Sequence, residues 1–83
     1  MKDEIIKHIG KGLRTRRNDL GMSLDEISLL TGISKPALSV LENGGGNPTL
    51  KTIGKLCMAL GLQLELKKLP YEGLSQTGSP DKA

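Results

Sequence analysis

Apolar residues recur every three or four positions along most of the chain, and from residue 62 they recur at every second position. The first pattern predicts amphipathic α-helices and the second predicts a short β-strand. A first helix is expected over residues 4–20. Its apolar stripe consists of Ile5, Ile6, Ile9, Leu13 and Leu20. Gly10 and Gly12 lie inside this helix, each unfavourable by roughly 1 kcal/mol relative to alanine, and they indicate either close packing or a helix that begins after them.

Capping residues mark the second helix. Ser23 and Glu26 have the spacing of a capping box. In that motif the serine hydroxyl accepts from the backbone N–H of the glutamate, and the glutamate carboxylate accepts from the backbone N–H of the serine. The helix is expected to end at Gly32, with Ile27 and Leu30 facing inward.

The third and fourth helices have similar boundary signals. Ser34 is a suitable N-cap, and Pro36 is tolerated in the first turn because its missing N–H has no partner there. The third helix is expected to end near Asn43, before the loop GGGNP, and the fourth is expected to follow Thr49 and to stop at Gly61. The inward face of the fourth helix consists of Leu50, Ile53, Leu56, Cys57 and Leu60.

The alternating segment LQLELKKL predicts a single strand in an otherwise helical chain. Leu62, Leu64 and Leu66 share one face of it. A lone strand has no partner within the chain, so the simplest arrangement is an antiparallel two-stranded sheet across a dimer axis. Residues 70–83 are rich in Gly, Ser and Pro, and we expect them to form a disordered tail.

The composition limits the possible classes of function. The 83 residues allow one domain. Cys57 and His8 are alone of their types, so neither an internal disulfide nor a zinc site is expected. With no paired carboxylates in a plausible cleft, the sequence predicts neither an enzyme nor a bound cofactor. A reducing, cytoplasmic setting is expected, and no apolar run approaches the ~20 residues of a membrane span.

The charge is mildly basic, with a formal net charge of +3. Residues 1–20 carry six of the basic side chains against three acidic ones. Such a face suits an anionic partner, but an ordinary solvated face fits the charge equally well.

The second and third helices are joined by a very short turn that contains glycine. This is the helix-turn-helix arrangement, in which the second helix of the pair lies in the major groove of DNA. Leu38 and Leu41 are expected to anchor that helix and to leave its N-terminal face free. The candidate DNA-binding residues on this face are Ser34, Lys35, Pro36, Ala37 and Ser39.

These side chains suit base edges. Lys35 can donate to guanine O6 and N7, and Pro36 or Ala37 can contact a thymine methyl. Plainer interpretations remain open: Lys35 is a solvated lysine, Ser34 is fully used as a cap, and Ser39 is a surface serine.

Phosphates can be reached from neighbouring positions. Ser23 and Leu24 lie at the start of the second helix, whose free N–H groups favour anions, and Asn47 lies in the glycine-rich loop. A simple turn role fits Asn47 equally well. Leu24 cannot donate through its side chain, which is expected to pack between the helices.

The stretch LRTRRNDLGMSLDEISLLTGISKPALSVLENG resembles the phage-repressor (Cro/C1, or XRE) type of helix-turn-helix domain. The matching positions are Leu13, Arg17, Gly21, Ser23, Glu26, Ile27, Gly32, Ile33, Ser34, Leu38, Ser39, Leu41, Glu42 and Asn43. The resemblance implies a lambda-repressor-like fold. It also implies an ion pair between Arg17 and Glu42 that holds the first helix against the third.

The following stretch, NPTLKTIGKLCMALGLQLEL, passes from a helix directly to a strand. In this layout the chain is similar over residues 4–69 to the HipB-type antitoxins, which repress their own operon and bind a HipA-type kinase toxin. The resemblance implies a homodimer with paired C-terminal strands and an unstructured tail. The glycine-rich loop and Pro36 at a recognition position depart from the family pattern, and they bear on base contacts more than on the fold.

The sequence therefore predicts an all-α, four-helix domain over residues 1–69 with a short C-terminal strand that pairs across a homodimer. The predicted dimer contacts are Cys57, Met58, Leu62, Leu64 and Leu66; Cys57 and Met58 are equally suited to packing of the fourth helix. The predicted function is repression through a palindromic operator with half-sites about 34–36 Å apart, as the antitoxin of a HipBA-type operon. A stand-alone repressor is the alternative, and an interaction module without DNA binding is the third class.

Overall fold

The computed structural model describes residues 2–70, with side chains from residue 4 onward. It contains four helices: α1 (Lys2–Asp19), α2 (Leu24–Thr31), α3 (Lys35–Glu42) and α4 (Leu50–Leu60). The four predicted helices are thereby confirmed, and α1 runs unbroken through both of its internal glycines. Helix α1 packs on α3 and α4, and α2 packs on the same two helices.

Side-chain caps hold the starts of the three later helices. The Ser23 hydroxyl accepts from the backbone N–H of Glu26 at 3.0 Å, and the Glu26 carboxylate accepts from the N–H of Ser23 at 2.7 Å. The Ser34 hydroxyl accepts from Ala37 at 3.2 Å, and the Thr49 hydroxyl accepts from Thr52 at 3.1 Å. Each bond satisfies a backbone N–H that the helix itself leaves without a partner.

The core is made of aliphatic side chains and one thiol, with contributions from all four helices. Its buried members are Ile6, Leu13, Ile27, Leu38, Leu41, Ile53, Leu56, Cys57 and Leu60. Ile27 and Leu56 are each only 1% exposed and lie at its centre. The packing of these side chains fixes the position of α3 relative to the rest of the domain.

Gly10 explains how α1 and α3 approach so closely. It is buried, and a Cβ atom added to it would overlap the backbone carbonyl oxygen of Leu41. Gly12 differs, because a Cβ atom there would meet nothing within 4 Å. The first glycine is therefore required by close packing between helices, whereas the second is not.

Some apolar side chains that the spacing placed in the core are exposed. Leu30 is 64% exposed, whereas the next residue, Thr31, is half-buried. Leu50, the first residue of α4, is 77% exposed. Leu20 is 44% exposed because α1 ends at Asp19, before it. Ile5 on α1 is 62% exposed, so the buried stripe is narrower than the sequence indicated.

The predicted C-terminal strand is absent from the single chain. Residues 62–70 form neither helix nor strand, and within residues 2–70 no strand is present to pair with them. This corrects the prediction as it applies to one copy, since a strand exists only through hydrogen bonds to a neighbouring strand. Apart from residue 70, the predicted disordered tail lies outside the described residues. No helix in the described part of the chain is long and apolar enough to cross a membrane.

Candidate nucleic-acid interface

The first turns of α2 and α3 lie side by side. The ammonium nitrogen of Lys35 is 3.1 Å from a carboxylate oxygen of Asp25, and both side chains are more than half exposed. Both helices therefore present their N-terminal ends, with free N–H groups and the positive end of each helix dipole, on one surface. A surface of this kind favours phosphate oxygens.

The outer face of α3 carries the side chains predicted to meet bases. Ser34, Lys35, Pro36 and Ala37 are exposed, and Ser39 is half-buried. Leu38 and Leu41 are buried in the core, only 3% and 5% exposed. Burial of these two leucines therefore sets which face of α3 is turned to the core, as the spacing indicated. The polar and apolar side chains of the outer face remain accessible to solvent.

The remaining DNA-binding candidates lie around this outer face of α3. Ser23 is exposed at the start of α2, where its hydroxyl is used as a cap. Leu24 is half-buried and packs against the core. Asn47 is exposed in the loop between α3 and α4, and it lines a groove together with Pro36 and Ala37. All of these positions adjoin the N-terminal ends of α2 and α3 or the loop beside α3.

Arg17 joins α1 to the end of α3. Its guanidinium donates to both carboxylate oxygens of Glu42, from Nε at 2.7 Å and from Nη2 at 2.8 Å. Nη1 donates to the backbone carbonyl of Met22 at 2.8 Å. Arg14 adds a longer contact to Glu42 at 3.4 Å and donates to the side-chain oxygen of Asn43 at 2.9 Å. The cluster fixes the orientation of the proposed recognition helix.

The Glu42 carboxylate is held ionised. Burial opposes its charge, since its side chain is only 8% exposed. The hydrogen bonds and positive charges of Arg17 and Arg14 outweigh that cost, so the pKa of Glu42 lies below its ordinary value. The same hydrogen bond raises the pKa of Arg17, although burial opposes it. Both groups therefore stay charged at neutral pH.

Arg16 has a structural contact of its own. Its Nε donates to the backbone carbonyl of Leu60 at 2.9 Å, at the C-terminal end of α4. A cation at that end complements the helix dipole. Arg16 therefore ties α1 to α4, whereas Arg17 ties α1 to α3.

The predicted dimer contacts fall into two groups. Cys57 is a core residue, only 8% exposed. Met58 is 83% exposed, and Leu62, Leu64 and Leu66 are 37%, 52% and 102% exposed. The second group presents apolar area on the outside of the single chain, around the end of α4 and the segment that follows it.

Two residues of the proposed interface were not predicted from the sequence. Asp25 is an acid on a surface that suits an anion, and its pairing with Lys35 follows only from the tertiary arrangement. Val40 is 50% exposed and lies one turn beyond Pro36 on the same face of α3. The i, i+4 spacing from Pro36 could have revealed Val40.

Within residues 2–70 there is no group of three or more His, Cys, Asp and Glu side chains that could hold a metal ion. On this surface the side chains of Lys35 and Asp25 are paired with each other. The arrangement can position hydrogen-bond donors and apolar groups against an extended anionic partner.

Residues 13–67 match the family described as helix-turn-helix. An uncharacterized HTH-type transcriptional regulator of Sinorhizobium fredii is 36% identical over 59 residues, which cover 71% of this chain and 77% of that protein. A second uncharacterized HTH-type regulator, from Haemophilus influenzae, is 37% identical over 71% of this chain and 60% of its own length. The HTH-type transcriptional repressor RghR of Bacillus subtilis is 34% identical over 83% of this chain, but over only 47% of its own length.

The chain thus spans about 60% of the Haemophilus regulator and about half of RghR. The matched region includes α2, α3 and α4 and the end of α1, with the Arg17–Glu42 pair inside it. The shared part is therefore the one that carries the N-terminal ends of α2 and α3.

Proposed function

This chain belongs to the helix-turn-helix family, and from that premise we propose that it is a sequence-specific, DNA-binding regulator of transcription. The family and the relatives point to a DNA-binding regulator rather than to an enzyme. The observation that carries the proposal is the shared surface at the starts of α2 and α3, where Asp25 and Lys35 lie 3.1 Å apart. Phosphates at both helix starts would place the exposed face of α3 against base edges.

The proposed mechanism is repression by occupation of a promoter. Ser34, Lys35, Pro36, Ala37 and Ser39 would face the bases. Ser23, the backbone N–H of Leu24, and Asn47 would reach the phosphates on either side. The Arg17–Glu42 pair would hold α3 at the required angle without contacting DNA.

The test is selection of duplexes from a random pool, followed by measurement of affinity against salt concentration. We expect one palindromic sequence to be enriched, with log affinity falling by about 0.9 per phosphate neutralised for each unit of log salt. Failure to enrich any sequence, with the protein folded, would contradict the proposal.

Asp25, the acidic residue on this surface, allows a more specific prediction. Replacing Asp25 by asparagine removes a negative charge that DNA would meet and releases Lys35 from its ion pair. We expect binding to the selected duplex to become roughly tenfold tighter at low salt, because like charges across an interface are unfavourable. Asp19→Asn, the same change at an exposed position at the end of α1, is the matched control and should leave affinity unchanged. Equal affinities for Asp25→Asn and the unaltered protein would show that this surface does not face DNA.

We also propose that the active form is a homodimer in which the 62–67 segments of two copies pair as antiparallel strands. The support is their alternating pattern and the exposed leucines, with Leu66 fully exposed in the single chain. Met58 would be covered at the same time. Pairing would give the segment the backbone partners that a single copy does not offer within residues 2–70.

The dimer proposal predicts different results for two neighbouring substitutions that introduce the same residue. Leu66→Asp would place a charge in the apolar contact, and we expect it to raise the dimer dissociation constant by roughly a hundredfold, since a leucine is lost from each copy. Glu65→Asp alters the alternate, polar face and should leave the dimer intact. Sedimentation velocity over a range of concentrations measures both. A monomeric unaltered protein, or equal effects of the two changes, would argue against paired segments.

The finer form of the proposal is an antitoxin that binds a HipA-type kinase toxin. Leu29 and Leu30, which the proposed strand pairing does not involve, are 89% and 64% exposed, and exposed apolar side chains suit a protein partner. The alternative is a stand-alone repressor, which agrees with the name of RghR. Affinity purification from the native host, with partners identified by mass spectrometry, separates them. A stoichiometric protein kinase would support the antitoxin, whereas recovery of the dimer with DNA alone would support the repressor.

A further inference from the structure

The outer face of α3 beside the loop is apolar. Pro36, Ala37 and Val40 form one wall of an open groove of about 440 Å³, and the loop residues Asn47 and Pro48 help to line it. Val40 is 50% exposed although it is a branched aliphatic residue. Pro36, Ala37 and Val40 are together called the apolar stripe below.

The loop holds Val40 in place. A Cβ atom added to Gly45 or Gly46 would lie 3.3 or 3.4 Å from a methyl group of Val40, so the loop backbone passes close beside that side chain. The valine is also stiff at χ1, because its branched Cβ restricts rotation. The stripe therefore presents a fixed apolar surface rather than a mobile one.

The polar groups at the start of α3 are partly occupied. The ammonium of Lys35 contacts Asp25 at 3.1 Å, and the hydroxyl of Ser34 accepts from the backbone N–H of Ala37 at 3.2 Å. Apolar contacts are therefore a large part of what this face offers to a base edge. In the major groove the apolar group on a base edge is the C5-methyl of thymine.

We propose that Val40, together with Pro36, reads the C5-methyl group of a thymine at a fixed position in each half-site. The inference rests on the proposed DNA-binding function and makes it more specific. The stripe is continuous with the surface formed by the starts of α2 and α3, so a duplex seated on those helix ends brings its major-groove edge to Val40. Val40 thereby becomes a specificity-determining residue of this chain.

Exchange of single nucleotides tests this directly. The probe is the duplex selected from the random pool, with each thymidine replaced in turn by deoxyuridine, which removes only the methyl group. For the unaltered protein we expect one position in each half-site at which the exchange weakens binding about fourfold, the value for one buried methyl group. Exchange in both half-sites should weaken binding about sixteenfold, as the product of the two effects.

Variants of Val40 assign the contact to that side chain. Val40→Ala should bind the thymidine and deoxyuridine duplexes within twofold of each other, because the thymine methyl has lost the two methyl groups of Val40 and keeps only its contact with Pro36. Leu50→Ala, at an aliphatic residue that is 77% exposed at the start of α4, is the control and should keep the full fourfold difference. Circular dichroism and thermal melting confirm that both variants fold, which is expected because both side chains are at least half exposed.

The outcomes separate this inference from the function on which it rests. If a duplex is selected but no thymidine is sensitive to exchange, the methyl contact is wrong and DNA binding stands. If Val40→Ala keeps the full sensitivity, another side chain reads the methyl and the assignment to Val40 is wrong. If no duplex is selected, the proposed function itself fails.

Discussion

Replacing Gly10 by alanine will destabilise the domain by at least about 3 kcal/mol, the upper part of the range for overpacked sites. The added methyl group would overlap the carbonyl oxygen of Leu41, and a second backbone atom of that residue lies 3.1 Å away. Neither can rotate aside as a flexible side chain can. Helix α1 would have to move away from α3, which would open the core around Leu13 and Leu38.

Gly12 provides the matched control for this prediction. It lies two residues later in the same helix, and an added methyl group would meet nothing within 4 Å. Gly12→Ala should therefore raise the free energy of unfolding by roughly 0.5–1 kcal/mol, the gain for alanine over glycine inside a helix. Urea unfolding followed by circular dichroism measures both variants. Similar shifts in the same direction would mean that α1 and α3 are not in close contact at Gly10.

Replacing Glu42 by glutamine will lower the free energy of unfolding at neutral pH by about 2–3 kcal/mol. The change leaves the guanidinium of Arg17 without its charged partner, and removing one member of a partly buried pair is costly. The cost stays below that of a fully buried pair because the side chain of Arg17 is 14% exposed. Glu65→Gln makes the same chemical change at an exposed position and should have little effect.

The difference between the unaltered protein and Glu42→Gln should depend on pH. The pKa of Glu42 is lower in the folded chain than its ordinary value, so the folded state favours the ionised form. The stability gained in this way is complete above the ordinary carboxylate pKa. This stability is lost as the pH falls through the lower pKa that Glu42 has in the folded chain. The same difference in stability at neutral pH and at pH values below both the folded and the ordinary pKa of Glu42 would show that Glu42 does not act through its charge.

The sequence predicted the helices well because their boundary signals are local. The capping box of Ser23 and Glu26, the N-cap Ser34 and the N-cap Thr49 each act within four residues. The inward positions of Leu38 and Leu41 likewise follow from spacing along one helix. Predictions of this kind need no knowledge of the neighbouring helices.

Features that depend on the tertiary arrangement were less accessible. The spacing could not show that Leu30 is exposed while Thr31 is half-buried, or that Asp25 reaches Lys35. The alternating leucines suggested a strand, but one copy of the chain supplies no partner for it within the described residues. Two alternatives for Gly10 were open from the sequence, and only the position of α3 distinguishes them.

The two neighbouring arginines of α1 also bear on the order of folding. Arg17 reaches Glu42 across 25 positions of sequence, whereas Arg16 reaches the carbonyl of Leu60 across 44. Closing the larger loop costs more chain entropy, so contacts of this range form late. The residues that join Arg17 to Glu42 are synthesised before α4, whereas the contact of Arg16 with Leu60 needs the last residue of α4. The segment that begins at Leu62 follows α4 along the chain, so the pairing proposed for it would begin only after α2 and α3 have been synthesised.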